Sequence, residues 1–152
     1  MEAERPEITG GEAIEKVLGL DVGESRIGVA VGDSMGIVVT PMPAIQRSNL
    51  EDDLKTVVSL IGEHQAKAVV VGIPISLNGR MGPQARLVKR FIQALARESP
   101  VSVHSQDERF STAEAERLLR QGGHQPSREK GLRDSASAAV ILRAYLDSGR
   151  NR

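Results

Sequence analysis

Acidic residues stand at three places in the chain where the surrounding pattern is apolar or helical. Asp21 lies inside an apolar strand pattern, Asp107 and Glu108 directly follow a later strand, and Asp134 begins an apolar helical face. Carboxylates brought together in a fold repel one another unless a cation is present. Oxygen ligands suit Mg²⁺ or Mn²⁺. Two such ions about 4 Å apart can hold the attacking water and the leaving oxygen of a phosphodiester.

Each of these acids also has an ordinary structural explanation when it is taken alone. Asp21 could shape the "DVG" turn, since Asp favours turns. Asp107 and Glu108 could be a solvated pair at a strand end, held by Arg109. If the strand geometry persists, these two neighbours point to opposite faces of the sheet, so at most one of them faces Asp21.

Asp134 is the most informative of the acids because of the residues that share its helical face. Ala138, Ile141 and Tyr145 follow it at four, seven and eleven residues, and this stripe is expected to point at the sheet. Asp134 would then lie at the buried end of a core-facing stripe. An N-cap, which needs no ligand, explains the same residue equally well.

The composition argues against several other kinds of functional site. The chain has 152 residues and no cysteine, which excludes thiolate metal sites and disulfides. His64, His104 and His124 form no pair at zinc-ligand spacing. Only three residues are aromatic, which argues against a nucleic-acid site made of stacked aromatic rings.

The elements that must position the acids follow from the apolar periodicity. A short turn separates the first two strands, which are therefore antiparallel neighbours. Later strands alternate with helices and predict right-handed parallel units. The predicted class is α/β, with three antiparallel strands followed by parallel βα units. The predicted strands are 17–22, 27–31, 36–45 (ended by its prolines), 67–73 and 101–105, and the predicted helices are 49–65, 84–97, 111–121 and 133–147.

The domain organisation is expected to be simple. Residues 1–15 predict a flexible tail and residues 16–148 a single domain. No apolar run approaches the roughly 20 residues of a membrane span. The acidic N-terminus argues against a signal peptide, and we expect a cytoplasmic protein with no membrane partner.

The net charge of zero conceals an uneven distribution of charged residues. Residues 1–66 carry 12 acids and 5 bases, whereas residues 67–108 carry 6 bases and 3 acids and residues 109–152 carry 9 bases and 5 acids. A basic C-terminal half can meet phosphates. Solvation of helix faces explains the same bases equally well, for example Arg86 and Arg90, which lie four residues apart on a predicted helix.

Four sequence blocks, in this order, give the chain a recognisable resemblance. They are "GLDVGESRIGVAVGD", "VVVGIPISLNGRMG", "DERFSTAEAERLL" and "DSASAAVILRAYL". They resemble the YqgF family, also called RuvX, over residues 17–147. The resemblance implies an RNase H-like fold, with a five-stranded mixed sheet flanked by helices. It also implies a metal site made by Asp21, Glu108 and Asp134, with Asp107 in reserve.

The same resemblance implies a function and a set of substrate contacts. The family is implicated in maturing the 5′ end of pre-16S rRNA, and some members are discussed as resolvases. The expected activity is therefore Mg²⁺- or Mn²⁺-dependent hydrolysis of phosphodiester bonds. Among the residues of the matching motifs, Arg26, Asn78 and Arg109 are expected to contact nucleic acid. Independently of the resemblance, the basic residues Arg80 and Lys130 are candidates for holding the flanking backbone.

The chain departs from the family pattern in its first turn. Relatives usually read "GTKRIG", whereas this chain has Glu24 and Ser25 before Arg26. A basic turn with a hydroxyl has become acidic beside Asp21. Glu24 could add a carboxylate near the metal, and its negative charge disfavours a phosphate contact by this turn.

Other functions stay open on the sequence alone. A Holliday junction resolvase acting on branched DNA would be expected to work as a symmetric dimer, whereas a precursor-trimming nuclease could be a monomer. A non-catalytic nucleic-acid-binding member of the fold is a further alternative. A kinase of the actin–hexokinase type shares the strand–"DxG"–strand pattern, but that fold needs two such domains, and 152 residues supply one.

Overall fold

A computed structural model describes residues 15–35, 38–75, 79–107 and 130–150, with side chains described only for 135–148 in the last stretch. Nearly all of the expected tail, the predicted helix at 111–121, and Asn78, Glu108 and Arg109 lie outside the described residues. The elements are β1 (Lys16–Val22), β2 (Arg26–Asp33), β3 (Val39–Gln46), α1 (Leu50–His64), β4 (Ala66–Ile73), α2 (Pro83–Glu98), β5 (Ser102–Asp107) and α3 (Lys130–Arg150).

The five described strands form one mixed sheet in the order β3-β2-β1-β4-β5. β1 pairs antiparallel with β2 and parallel with β4. β3 adds an antiparallel strand at one side, and β5 adds a parallel strand at the other. The predicted five-stranded mixed sheet is confirmed. Because β1, β4 and β5 are parallel, their carboxyl ends meet at one edge of the sheet.

Several strand ends differ from the sequence prediction by one to three residues, and two of the differences bear on the site. β3 continues past Pro41 and Pro43 to Gln46 instead of ending at the prolines. Proline is tolerated there because β3 is an outer strand of the described sheet, where one side of its backbone donates no ladder hydrogen bond. β5 runs two residues beyond the predicted end, so that Asp107 is its last residue.

Helices α1 and α2 cover one face of the sheet. Their apolar residues pack against alternate strand residues and form the larger part of the core. The members with almost no solvent exposure are Leu18, Leu20, Ile27, Val29, Val57, Val69, Val71, Ala85, Val88 and Leu95. Among the described residues, no helix is both long and apolar enough to cross a membrane.

Helix α3 covers the opposite face and packs closely against it. Ala138, Ile141, Leu142 and Leu146 contact the small or branched residues on that side of β1, β2 and β4. The predicted apolar stripe that follows Asp134 is thereby confirmed, since Ala138 and Ile141 are buried.

Gly19 allows the close approach of α3 to β1. A Cβ atom at this position would lie 2.9 Å from Leu142 Cβ and 3.0 Å from the backbone oxygen of Ala138. From the sequence, a glycine two residues before Asp21 on the same strand face predicts open space beside that carboxylate, whereas the structure shows that α3 fills the space.

We therefore expect Gly19→Ala to destabilise the fold. The added methyl group meets atoms close to the helix backbone, and overpacking of this kind costs roughly 1–3 kcal/mol. The matched control is Gly62→Ala in α1, where an added Cβ meets nothing within 4 Å and helix propensity favours Ala by up to about 1 kcal/mol. Urea unfolding measures both variants. A midpoint for Gly19→Ala at or above that of wild type would contradict the packing argument.

Candidate active site

Asp21 lies near the carboxyl end of the central strand. It pairs with Gly28 of β2 and is half-buried. Side chains alternate along a strand, so Asp21 shares its face with Val17 and Gly19. That face is the one covered by α3, since Gly19 contacts α3 directly.

Helix α3 runs antiparallel to β1. A Cβ at Gly32, which pairs with Val17, would meet Leu142 and Leu146. A Cβ at Gly19 would meet Leu142 and Ala138. Two residues along a strand advance roughly 6.6 Å, and four residues along a helix advance about 6 Å. Residue numbers in α3 therefore decrease along the direction in which residue numbers in β1 increase toward Asp21.

The same progression brings the backbone at Asp134 to the Asp21 end of β1. Asp134 is one helical turn before Ala138, as Asp21 is two strand residues after Gly19. The hydroxyl of Ser135 supports this placement, because it accepts a hydrogen bond from Val29 N at 3.1 Å. Val29 pairs with Leu20, the residue before Asp21.

Ser135 also fixes α3 to the outer part of the sheet. Its hydroxyl donates to the backbone oxygen of Met42 in β3, and the residue is fully buried. One side chain thus joins α3, β2 and β3. The side chain of Asp134 itself lies outside what the structure describes.

The register of β5 shows which face of the sheet Asp107 lies on. His104 faces α3, because its ring lies 5.4 Å from the ring of Tyr145. Asp107 is three residues later and lies on the other face with Val103. It pairs with Ile73, which belongs to the core beneath α1 and α2. Asp107 and Asp21 are therefore on opposite faces of the sheet.

The expected substrate contacts are only partly described. Arg26 lies two residues before Gly28 and, by alternation, on the face of Asp21. Arg80 is exposed in the connection between β4 and α2, at the sheet edge where β1 ends. Lys130 begins α3, with only its backbone described.

The described residues do not by themselves complete a metal site. Within 15–35, 38–75, 79–107 and 135–148, no three acidic, histidine or cysteine side chains are grouped closely enough to hold a metal ion. Of the three expected ligands, only the side chain of Asp21 lies in this part of the chain. A half-buried carboxylate on a rigid central strand is the kind of oxygen donor that Mg²⁺ or Mn²⁺ takes.

A partly buried ion pair between Arg47 and Asp53 fixes the turn after Asp21, and the sequence did not predict this pair. Asp53 is 2% exposed and accepts hydrogen bonds from Arg47 Nε and Ser48 N, both at 3.0 Å. The same arginine donates through Nη1 to the backbone oxygen of Gly23 at 2.9 Å. The signal in the sequence was an acid four residues before Val57, on the apolar face of α1.

Glu24 lines a cavity on the side of the sheet that α1 and α2 cover. The cavity also contacts Arg47 and Phe91, and the Arg47 guanidinium lies 5.6 Å from the centre of the Phe91 ring. Asp21 faces α3 instead. This arrangement does not support the option that Glu24 joins Asp21 as a further metal ligand.

Comparison with known proteins gives one matching family and many relatives. A family model described as RuvX, Holliday junction resolvase, matches residues 15–148. A protein of Synechococcus sp. strain JA-2-3B'a(2-13), named "Putative pre-16S rRNA nuclease", is 46% identical over 133 residues, covering 88% of this chain and 78% of that protein. A protein of the same name from Carboxydothermus hydrogenoformans is 41% identical over 132 residues, covering 87% and 96%.

Solved structures show the same fold at low sequence identity. The T. thermophilus RuvC in complex with a Holliday junction substrate has a TM-score of 0.58 at 16% identity, covering 89% of this chain and 96% of that chain. The fowlpox virus Holliday junction resolvase has a TM-score of 0.56 at 13% identity, covering 88% and 99%. This likeness confirms the expected RNase H-like fold.

Proposed function

Because this chain belongs to the RuvX family, we propose that it is a metal-dependent nuclease that hydrolyses phosphodiester bonds in 5′-end maturation of pre-16S rRNA. The names of its relatives support the reaction and the substrate. The structural observation that carries the proposal is the position of Asp21. It lies half-buried on the central strand, at the end of the sheet where α3 begins.

The proposed metal ligands are Asp21, Glu108 and Asp134. The antiparallel direction of α3 relative to β1 supports Asp134, because it places the start of the helix at the Asp21 end of the strand. The register of β5 supports Glu108 over the reserve Asp107, because Asp107 lies on the face opposite Asp21. We propose that Glu108, the next residue of the chain, faces Asp21, since neighbouring strand residues point to opposite faces of a sheet.

The proposed metal is Mg²⁺ or Mn²⁺, which when bound activates water and stabilises the charge that develops on the phosphate. Asp21 supplies a donor whose position is set by strand pairing on both sides of β1. The partly buried Arg47–Asp53 pair holds the turn that follows Asp21. These groups are in place before substrate arrives, which reduces the cost of ordering the site.

The proposed substrate contacts are Arg26, Asn78, Arg80, Arg109 and Lys130. Arg26 on the Asp21 face and Arg80 at the same sheet edge support a path for the phosphate backbone across this edge. Contacts of this kind position the strand without reading its sequence. The proposed location is the cytoplasm, with no membrane partner.

A second candidate function is cleavage of a Holliday junction. The description of the matching family model favours it. That reaction would use the same acids on branched DNA, and a symmetric dimer would match the two-fold symmetry of the junction.

A panel of substrates tests the proposed function. Purified protein is incubated with a pre-16S rRNA leader, single-stranded RNA, duplex DNA and a four-way DNA junction, each with and without Mg²⁺. We expect Mg²⁺-dependent cleavage of the leader, and its loss in Asp134→Asn. Cleavage of the junction alone would identify a resolvase. Failure of the folded protein to cleave any substrate would indicate a non-catalytic member, and activity that survives in Asp134→Asn would point to a contaminant.

A further inference from the structure

A cavity of about 300 Å³ opens between the turn after β1 and helix α2. Its walls are largely apolar, with Leu87 and Phe91 from α2 and Leu50 from the start of α1. Leu87 and Leu50 are 53% and 47% exposed. Ligand pockets in proteins begin at roughly 300 Å³ and combine apolar walls with a few polar groups. The volume therefore suits a single ring system.

The helix face beside this cavity is basic. Arg86, Lys89, Arg90 and Arg97 are exposed along α2, whose first acidic residue is Glu98. Lys89 and Arg90 make no hydrogen bond or ion pair with any residue in the described part of the chain, and Arg90 lines the cavity. This charge favours a polyanion, such as the phosphate backbone of a nucleic-acid strand.

Glu24 is the acidic group among the residues that line the cavity. It is exposed and makes no hydrogen bond or ion pair with the described residues. An ionised carboxylate only accepts hydrogen bonds, through two oxygens. Among the nucleobases, guanine presents two adjacent donors, N1–H and N2–H₂, on its Watson–Crick edge. A carboxylate can therefore accept two parallel hydrogen bonds from guanine.

We propose that this cavity binds an unpaired guanine of the substrate strand, with Glu24 reading its Watson–Crick edge. Unpaired bases recognised on that edge are the usual basis of sequence-specific RNA binding. The ring lies between the apolar walls while the flanking phosphates meet Arg86 and Arg90. The inference rests on the proposed nuclease function, because it makes the occupant part of that enzyme's substrate.

The cavity lies close to the proposed catalytic edge but on the other face of the sheet. Val22 and Gly23, which follow Asp21 directly, are among the residues that line it. Gln84 donates to the backbone oxygen of Val22 at 3.4 Å, and Arg47 holds that of Gly23. The turn is therefore fixed from two sides. A strand passing over this edge can place one base in the cavity and a nearby phosphate at Asp21.

Binding of short RNAs without metal tests the proposal. Fluorescence anisotropy in EDTA measures how tightly the protein binds labelled pentauridylates that carry G, A, C or U at the central position. We expect the G-containing strand to bind about tenfold or more tightly, the discrimination of one bidentate contact. Glu24→Thr should lose this preference. Leu87→Glu should weaken the binding of all four strands, whereas a carboxylate added by Ser59→Glu, at an exposed position on α1 outside the cavity, should not.

The outcomes distinguish this inference from the proposed function. Equal binding of the four strands by wild type, or an unchanged preference in Glu24→Thr, overturns the guanine site even if the protein cleaves RNA. A guanine preference lost in Glu24→Thr supports the site even if cleavage fails. Competition by a polyglutamate peptide as effective as that by the G-containing strand would show a general anion surface and would overturn the proposal.

Discussion

Asp21→Asn lowers Mg²⁺-dependent cleavage of the substrate by roughly 10²- to 10³-fold, the loss seen when one preorganised electrostatic group is removed from an active site. The amide keeps the size of the side chain but loses its negative charge, so it is a much weaker ligand for a hard cation. The fold should persist, because Asp21 is half-buried and its backbone pairing is unchanged. Single-turnover cleavage and Mg²⁺ titration measure the effect, and circular dichroism checks the fold.

The matched control for this variant is Asp33→Asn. Asp33 is also a strand residue, but it pairs with Lys16 at the opposite end of β1. Its carboxylate accepts from the backbone N–H of Val38 at 3.2 Å, and an amide oxygen can accept the same bond. We expect cleavage and Mg²⁺ affinity of Asp33→Asn to match wild type. If Asp21→Asn bound Mg²⁺ as tightly as wild type, the proposed metal site would be wrong.

The strand order was predictable because the signals for it are local. Apolar alternation and the short "GESR" turn are enough to pair the first two strands. The later alternation of strands and helices is enough for the parallel half. By contrast, the end of β5 depends on its pairing with β4, where Ile73 opposes Asp107. No local signal specifies that partner.

The surroundings of Asp21 were less predictable than Asp21 itself. Gly19 indicated free space, but α3 fills that space from the far end of the chain. The pairing of Arg47 with Asp53 could not be read from the sequence either, although the position of Asp53 on the apolar face of α1 was visible. In both cases the deciding contact joins elements that only the tertiary fold brings together.

The register of β5 predicts that the adjacent acids Asp107 and Glu108 differ in their effect on cleavage. Glu108→Gln should lower Mg²⁺-dependent cleavage by roughly 10²-fold or more, whereas Asp107→Asn should leave it within a few fold of wild type. Asp107 pairs with Ile73 and lies on the face that α1 and α2 cover. Asp21 lies on the face that α3 covers. Single-turnover cleavage rates and Mg²⁺ affinities of the two variants test the distinction.

The two variants control for each other. Each removes one negative charge, and because the two positions are neighbours, the long-range electrostatic field changes by almost the same amount in both. A general loss of negative charge near the edge would slow both variants alike, whereas loss of a ligand slows only one. A fall in cleavage confined to Asp107→Asn would mean that the reserve acid is the ligand. The chain would then have to reverse the faces of β5 near its end, as a β-bulge does. Wild-type activity in both variants would remove Asp107 and Glu108 from the site and leave Asp21 and Asp134 as its proposed ligands.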